Sequence, residues 1–162
     1  MHKIKNFGVI EMKILVLVAI LILTISTGCG ETQSAENNLK PVGSEIQSMQ
    51  IKIIVGNRNF DAILENNDAA QNFYKMLPLE ITMNELNGNE KYHRLGKNLP
   101  SNDKRVGTIN AGDLMLWSSN TVVLFYENFS SGYSYTRLGK ILNAENLSDA
   151  VGRGNISVKF EK

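Results

Sequence analysis

Cysteine, histidine and unbalanced charge are all scarce in this sequence. It has one Cys, two His and a formal net charge of +1. One Cys cannot form a disulfide within the chain. Zinc sites usually take three or four Cys or His ligands, so we expect no metal site, and no motif indicates another cofactor. A near-neutral chain also lacks the basic field that attracts nucleic acid, so we expect no nucleic-acid partner.

Long apolar runs are absent except at the N-terminus, where residues 14–25 read ILVLVAILILTI. A membrane-spanning helix needs about 20 apolar residues. A run of about 7–15 after a basic residue, here Lys13, is typical of a signal-peptide core. Met12 directly precedes this lysine and is an alternative start to Met1.

The apolar run leads into Ser26-Thr27-Gly28-Cys29, which resembles a bacterial or archaeal lipobox, with Ser26 where Leu is usual. We therefore predict a lipoprotein-type signal peptide over residues 1–28 and a lipid on Cys29. An ordinary cleaved signal peptide and an uncleaved N-terminal anchor are the alternatives. The lipid would tether the protein, once it is secreted across the cytoplasmic membrane, to the outer face of that membrane.

The rest of the chain divides into a linker and one domain. Residues 29–48 are rich in polar Ser, Asn and Glu without sustained periodicity, which is typical of a flexible linker. Residues 49–162 are enough for one compact core. Within them, short alternating or β-branched segments predict a succession of strands. These segments are residues 49–55, 60–64, 79–86, 90–95, 106–109, 114–117, 122–126, 133–138 and 155–160.

Two short helices accompany the strands. The first is predicted over residues 69–77, between a cap at Asn67-Asp68 and Pro78. The second is predicted over residues 143–151 and ends at Gly152. Many short strands with few helices predict a mainly β fold, a closed eight-stranded barrel, because closure removes exposed strand edges.

The densest apolar stretch of the domain lies between Ala111 and Gly139. Trp117 and Phe125 fall inside its strand segments, so both are expected in the barrel core. Ser130-Ser131-Gly132 is expected to interrupt the strand pattern before it resumes at Tyr133.

Several segments of the domain resemble the bacterial and archaeal cyclophilin-like domain family. They are LP at 77–78, LEITMNELNGNEKY at 79–92, GDLMLW at 112–117 and FYENFSSGYSYTRLG at 125–139. The resemblance extends over residues 49–162 and implies the cyclophilin barrel with a helix at each end. It implies no particular activity, because this family has no settled function.

Cyclophilins themselves are peptidyl-prolyl isomerases, and Tyr92-His93-Arg94 is similar to their Phe-His-Arg segment. The resemblance makes Arg94 the candidate catalytic residue, since a guanidinium near the prolyl nitrogen would stabilise the twisted amide. The cyclophilin Gln-Gly-Gly-Asp segment is replaced here by residues 110–113, NAGD, which lack the Gln. An insertion over residues 96–104 also separates the two segments. A divergent isomerase therefore remains the alternative function.

A binding function is the first hypothesis. Tyr133, Tyr135 and Arg137 alternate along one predicted strand, so they are expected to share a face. Aromatic rings and a guanidinium on one face suit a peptide or a small molecule. The candidate ligand-binding residues are Tyr92, His93, Trp117, Tyr133, Tyr135 and Arg137.

One further pattern concerns two carboxylates. Glu85 and Glu90 flank the turn at Asn87-Gly88-Asn89, and facing carboxylates would suit acid–base chemistry. Like charges on a solvated hairpin are far more common, so the pair also fits an ordinary surface hairpin.

Lipid attachment is tested by replacing Cys29 with Ser. Without the thiol the acyl chains have no attachment point, so we expect release of the domain or accumulation of an unprocessed precursor. Membrane fractionation and gel mobility of the expressed protein measure this. A variant that fractionates and migrates like the parent would show that Cys29 carries no lipid.

Overall fold

The structure is a computed structural model that describes residues 48–162. The predicted signal peptide, Cys29 and residues 29–47 of the predicted linker lie outside the described residues. The two helices are α1 (Asp68–Lys75) and α2 (Leu147–Val151), and neither is long and apolar enough to cross a membrane. The strands are β1 (Gln50–Val55), β2 (Arg58–Leu64), β3 (Leu79–Leu86), β4 (Glu90–Arg94), β5 (Lys104–Ile109), β6 (Asp113–Trp117), β7 (Thr121–Phe125), β8 (Phe129–Ile141) and β9 (Ile156–Glu161).

Eight of these strands form a closed antiparallel barrel. Their order is β2-β1-β9-β3-β4-β7-β6-β8, and β8 pairs back with β2. The predicted closed eight-stranded barrel with two short helices is therefore confirmed. The remaining strand, β5, pairs with the first half of β8 alone, so these two segments extend beyond the ring.

The main hydrophobic core fills the barrel and contacts both helices. Phe73 of α1 packs edge-on against Phe160 of β9, with ring centroids 5.4 Å apart. Leu147 and Val151 bring α2 into the same core. The start of α1 is fixed by Asn67, whose side-chain oxygen accepts the Ala70 amide at 2.9 Å, as expected for an N-cap.

A second, smaller cluster lies on the other face of β6 and β7. It contains Ile109, Met115, Val123, Phe125 and Tyr135, which are all buried. Its strand neighbours, such as Leu124, belong to the main core, as alternation along a strand requires. Phe125 is therefore buried as expected, but beneath β5 and β8 rather than inside the barrel.

The expectation for Trp117 was wrong, because its side chain is 44% exposed. It ends β6 on the same face as Met115. The pairing of β6 with β8 stops one residue earlier, at Leu116 opposite Thr136. With no strand paired beside it on that side, the indole stays in contact with solvent.

The expected interruption at Ser130-Ser131-Gly132 was also wrong. These residues lie within β8, a single strand of 13 residues. Ser130 pairs with Thr108 and Ser131 with Gly107 of β5. The backbone ladder with β5 holds this segment extended, although its small side chains carry no strand pattern of their own.

Barrel closure leaves no room for a side chain at Gly139. An added Cβ would lie 2.4 Å from the Ile63 carbonyl oxygen and 2.9 Å from the Leu64 Cα, both on β2. We expect Gly139→Ala to lower the free energy of unfolding by about 1–3 kcal/mol, or more if the β2–β8 pairing opens. Chemical denaturation measures this.

The matched control is Gly96→Ala, because an added Cβ at Gly96 meets no atom within 4 Å. It should change the denaturation midpoint little. Equal midpoints for both variants would contradict the idea that Gly139 is required for closure.

Candidate functional site

A groove of about 660 Å³ lies on the outer face of the barrel. This volume is typical of small-molecule and peptide sites. Its residues come from the β3–β4 hairpin, from β4, β6 and β7, and from the first half of β8. The groove is lined by Leu86, Asn87, Asn89, Glu90, Tyr92, Arg94, Trp117, Thr121, Val123, residues 129–133 and Tyr135.

The register of three neighbouring strands sets the floor of the groove. Tyr92 of β4 pairs with Val123 of β7. Arg94 pairs with Thr121, which in turn pairs with Trp117 of β6. Directly paired residues point to the same side of a sheet, so these side chains share the outer face.

Exposed apolar side chains are concentrated at this groove. Four large apolar side chains are exposed among residues 48–162. Leu86, Trp117 and Tyr133 line the groove, and Leu142 lies elsewhere. Single exposed apolar residues are normal, whereas a cluster of them marks an interaction surface.

Five of the residues selected from the sequence come together here. Tyr92, Arg94, Trp117, Tyr133 and Tyr135 all line the groove. Tyr133 is largely exposed, whereas Tyr135 is buried and packs edge-on against Phe125 with ring centroids 5.5 Å apart. The groove thus has an exposed tyrosine, Tyr133, at its rim and a buried tyrosine, Tyr135, at its base.

The other two selected ligand-binding residues lie elsewhere. His93 follows Tyr92 on the strand and points to the opposite face, where its Nδ1 is 2.8 Å from the Thr82 carbonyl oxygen. Arg137 lines a second cavity of about 490 Å³ and lies 3.6 Å from Asp113. After Tyr135 the strand β8 leaves β5 and pairs with β6, which places Arg137 on a different surface.

Glu90 is the charged groove residue that the sequence argument did not include among the ligand-binding residues. Glu85 pairs directly with Lys91, and Leu86 with Glu90, so the two carboxylates lie on opposite faces of the hairpin. The facing carboxylate pair is therefore absent from this hairpin. The period of two along Glu90, Tyr92 and Arg94 is the sequence signal that places Glu90 in the groove.

A buried lysine anchors the hairpin that forms one wall of the groove. Lys91 is fully buried and forms an ion pair with Glu85. It also donates to the carbonyl oxygens of Gly152 and Gly154, each at 2.7 Å. Its three N–H donors are thus used, so the ammonium ties the hairpin to the loop after α2. The Tyr126 hydroxyl donates to the same carboxylate at 2.8 Å.

The electrostatic environment differs between the two carboxylates. Burial opposes ionisation of Glu85, but hydrogen bonds from Lys91, Tyr126 and the Gly88 amide outweigh it and lower the pKa of Glu85 below 4.5. Burial, and then the charge of Glu85, raise the pKa of Glu90. Burial, followed by the charge of Glu90, also raises the pKa of Tyr135.

These groups can bind and orient a ligand through aromatic contacts, a carboxylate and a guanidinium. No cluster of three potential metal ligands occurs within residues 48–162. The phenol of Tyr126 is held protonated, because burial and then its bond to Glu85 raise its pKa. Lys91, Glu85 and Tyr126 do not line the groove. Their buried network supports the hairpin that forms one of its walls.

The lowered pKa of Glu85 predicts acid sensitivity of folding. Its stabilisation is present above the unfolded pKa, near 4.5, and is lost as the pH falls through the lower folded pKa. At pH 7 we expect Glu85→Gln to lower the free energy of unfolding by roughly 1–3 kcal/mol, because Lys91 loses a charged acceptor.

The destabilisation caused by Glu85→Gln should become smaller as the pH falls below 4.5, because protonation removes the same charge from Glu85 in the parent protein. Denaturation curves of both proteins from neutral to acidic pH measure it. Glu145→Gln, on an exposed carboxylate, serves as the control. A cost that stays constant with pH would contradict this account of Glu85.

Comparison with known proteins supports the fold. The structure is similar to the solution structure of the hypothetical protein AF2241 from Archaeoglobus fulgidus, with a TM-score of 0.52 and 19% identity. That match covers 74% of this chain and 98% of the other, and it shows a common fold alone. No curated protein matches the chain. The model of the Cyclophilin-like family matches residues 53–161, and the chain therefore belongs to the cyclophilin-like family.

Proposed function

We propose that this protein is a binding module whose groove holds a peptide or a small organic molecule. The observation that carries the proposal is the concentration of exposed apolar side chains. Three of the four found among residues 48–162 line the groove of about 660 Å³. Burying such a surface under a ligand is favourable in water.

The chemistry of the groove supports an elongated ligand with polar ends. Tyr92, Trp117 and Tyr133 offer aromatic surface with polar edges. Arg94 is exposed at the end of β4, where its planar donors can reach a carbonyl or a carboxylate. The barrel strands beneath hold the floor rigid, so little ordering is needed when a ligand binds.

A location outside the cytoplasmic membrane is part of the proposal. It rests on the apolar run at residues 14–25 and on Cys29. A lipid at Cys29, with the polar residues that follow, would hold the domain near the outer face of the cytoplasmic membrane. The groove would then be accessible to ligands outside that membrane.

Binding is tested with Trp117 as the reporter, because it is the only Trp in the chain and lines the groove. The probe is a pool of end-blocked, proline-containing peptides added to the intact domain. We expect Tyr133→Ala to weaken binding at least about fivefold, since truncating an anchoring aromatic usually costs more than 1 kcal/mol.

The matched control is Leu142→Ala, which truncates the one exposed large apolar residue that lies outside the groove among residues 48–162. It should leave the affinity unchanged. Equal losses in both variants, or a fluorescence that no peptide alters, would refute the groove as a peptide-binding site.

The alternative is a divergent peptidyl-prolyl isomerase that uses Arg94. Its support is the position of Arg94 in the groove, in one row with Thr121 and Trp117. Even a thousandfold acceleration requires about 4 kcal/mol of transition-state stabilisation. An exposed guanidinium acts in a high dielectric, where its electrostatic effect is small.

We therefore expect weak or absent isomerase activity in a proline-peptide assay of the wild type. The comparison is with Arg94→Ala, and Arg153→Ala, on an exposed loop, serves as the control. Robust turnover that collapses only in Arg94→Ala would replace the binding module with the enzyme.

A further inference from the structure

Two opposite charges lie on the groove face of one strand. Glu90 and Arg94 both line the groove, with Tyr92 between them. Four residues of a strand span about 13 Å, so the two charges are too far apart to pair with each other. The groove thus has an acidic end beside the β3–β4 turn and a basic end beside Trp117.

The acidic end lacks a cation. Glu90 is half-buried, yet among residues 48–162 its carboxylate forms neither an ion pair nor a side-chain hydrogen bond. Its neighbour Asn89 has a buried side-chain oxygen without a donor in the same part of the chain. Buried acceptors are normally satisfied, so this end of the groove favours a ligand that brings hydrogen-bond donors.

The basic end lacks an anion. The Arg94 side chain is exposed and forms no ion pair within the described part of the chain. A guanidinium binds a carboxylate through two parallel hydrogen bonds, which makes it selective for that group. Trp117 lies two strands away in the same row and adds an exposed aromatic ring to this end of the groove.

An extended peptide fits the remaining surface. The first half of β8 lines the groove and has β5 as its single strand partner in the described structure. One edge of this segment therefore carries backbone groups outside any ladder. Sheet edges of this kind bind extended peptides by strand addition.

We infer that the groove selects an extended peptide that places a basic side chain against Glu90 and a carboxylate against Arg94. This inference rests on the proposed binding function and adds the chemical class of the ligand. In such a peptide, the two charges lie about four residues apart, since the peptide and β4 have the same rise per residue. The residues between them pack on Tyr92.

The test is a double-mutant cycle between protein and peptide. The parent probe is an end-blocked peptide without proline that carries Lys and Glu four residues apart, and two further peptides replace either charge with Gln. Each is titrated against wild type, Glu90→Gln and Arg94→Gln by Trp117 fluorescence. Glu145→Gln and Arg153→Gln, on exposed residues outside the groove, are the controls.

We expect replacement of the peptide Lys to weaken binding about tenfold to wild type but not to Glu90→Gln, because the partner charge is already gone. Replacement of the peptide Glu should likewise have no effect on Arg94→Gln. The controls should behave as wild type, and both couplings should shrink in high salt.

These outcomes distinguish a failure of the charge selection from a failure of the proposed binding function. Peptides that bind without coupling to Glu90 or Arg94 would overturn the charge selection and leave the groove as a binding site. Peptides that never alter the fluorescence would overturn both the charge selection and the groove as a peptide-binding site. The peptide substitutions require no change in the protein, so the loss of affinity in wild type still tests the charge selection where a protein variant unfolds.

Discussion

Closure of the barrel between β8 and β2 is the constraint on which the rest of the structure depends. Gly139 permits it, because its Cα lies where any side chain would meet the β2 backbone. The second part of β8, from Thr136 onward, pairs with β6 on one side and with β2 on the other and completes the ring. The residues before it are left to pair with β5 and to form a wall of the groove. A single strand thus serves both the fold and the candidate site.

The two faces of the barrel wall have different roles. On β7 the inward side chains, such as Leu124, join a core that includes both helices. The outward side chains, such as Phe125 and Val123, are covered by β5 and β8 at one end of the sheet. The cover stops short of Trp117, and the uncovered part of the outer face is the groove. The groove therefore lies at the edge of the second, smaller hydrophobic cluster.

The groove wall opposite β8 is the β3–β4 hairpin, and the buried ammonium of Lys91 holds it in place. Isolated buried ammonium groups are strongly unfavourable, and Lys91 is compatible with the interior because Glu85, Gly152 and Gly154 all accept from it. This network joins the β3–β4 hairpin to the loop after α2, two segments far apart in the chain. It fixes the turn that carries Glu90 without exposing any of its own charge to the groove.

Local patterns predicted both helices, most of the strands and a barrel, because alternation and turn residues act over a few neighbours. The family resemblance singled out Arg94 in its Tyr92-His93-Arg94 segment, and alternation along β8 singled out Tyr133 and Tyr135. The fold brings Tyr92, Arg94, Trp117, Tyr133 and Tyr135 into one groove.

Tertiary structure decided what covers each side chain. Trp117 has the pattern of a core residue, but no strand reaches it, and the segment at Ser130–Gly132 is extended only because β5 pairs with it. Lysine side chains are usually exposed, but Lys91 is fully buried because Glu85 and two carbonyl groups of a distant loop accept its hydrogen bonds. Burial depends on such distant partners, which no local pattern in the sequence encodes.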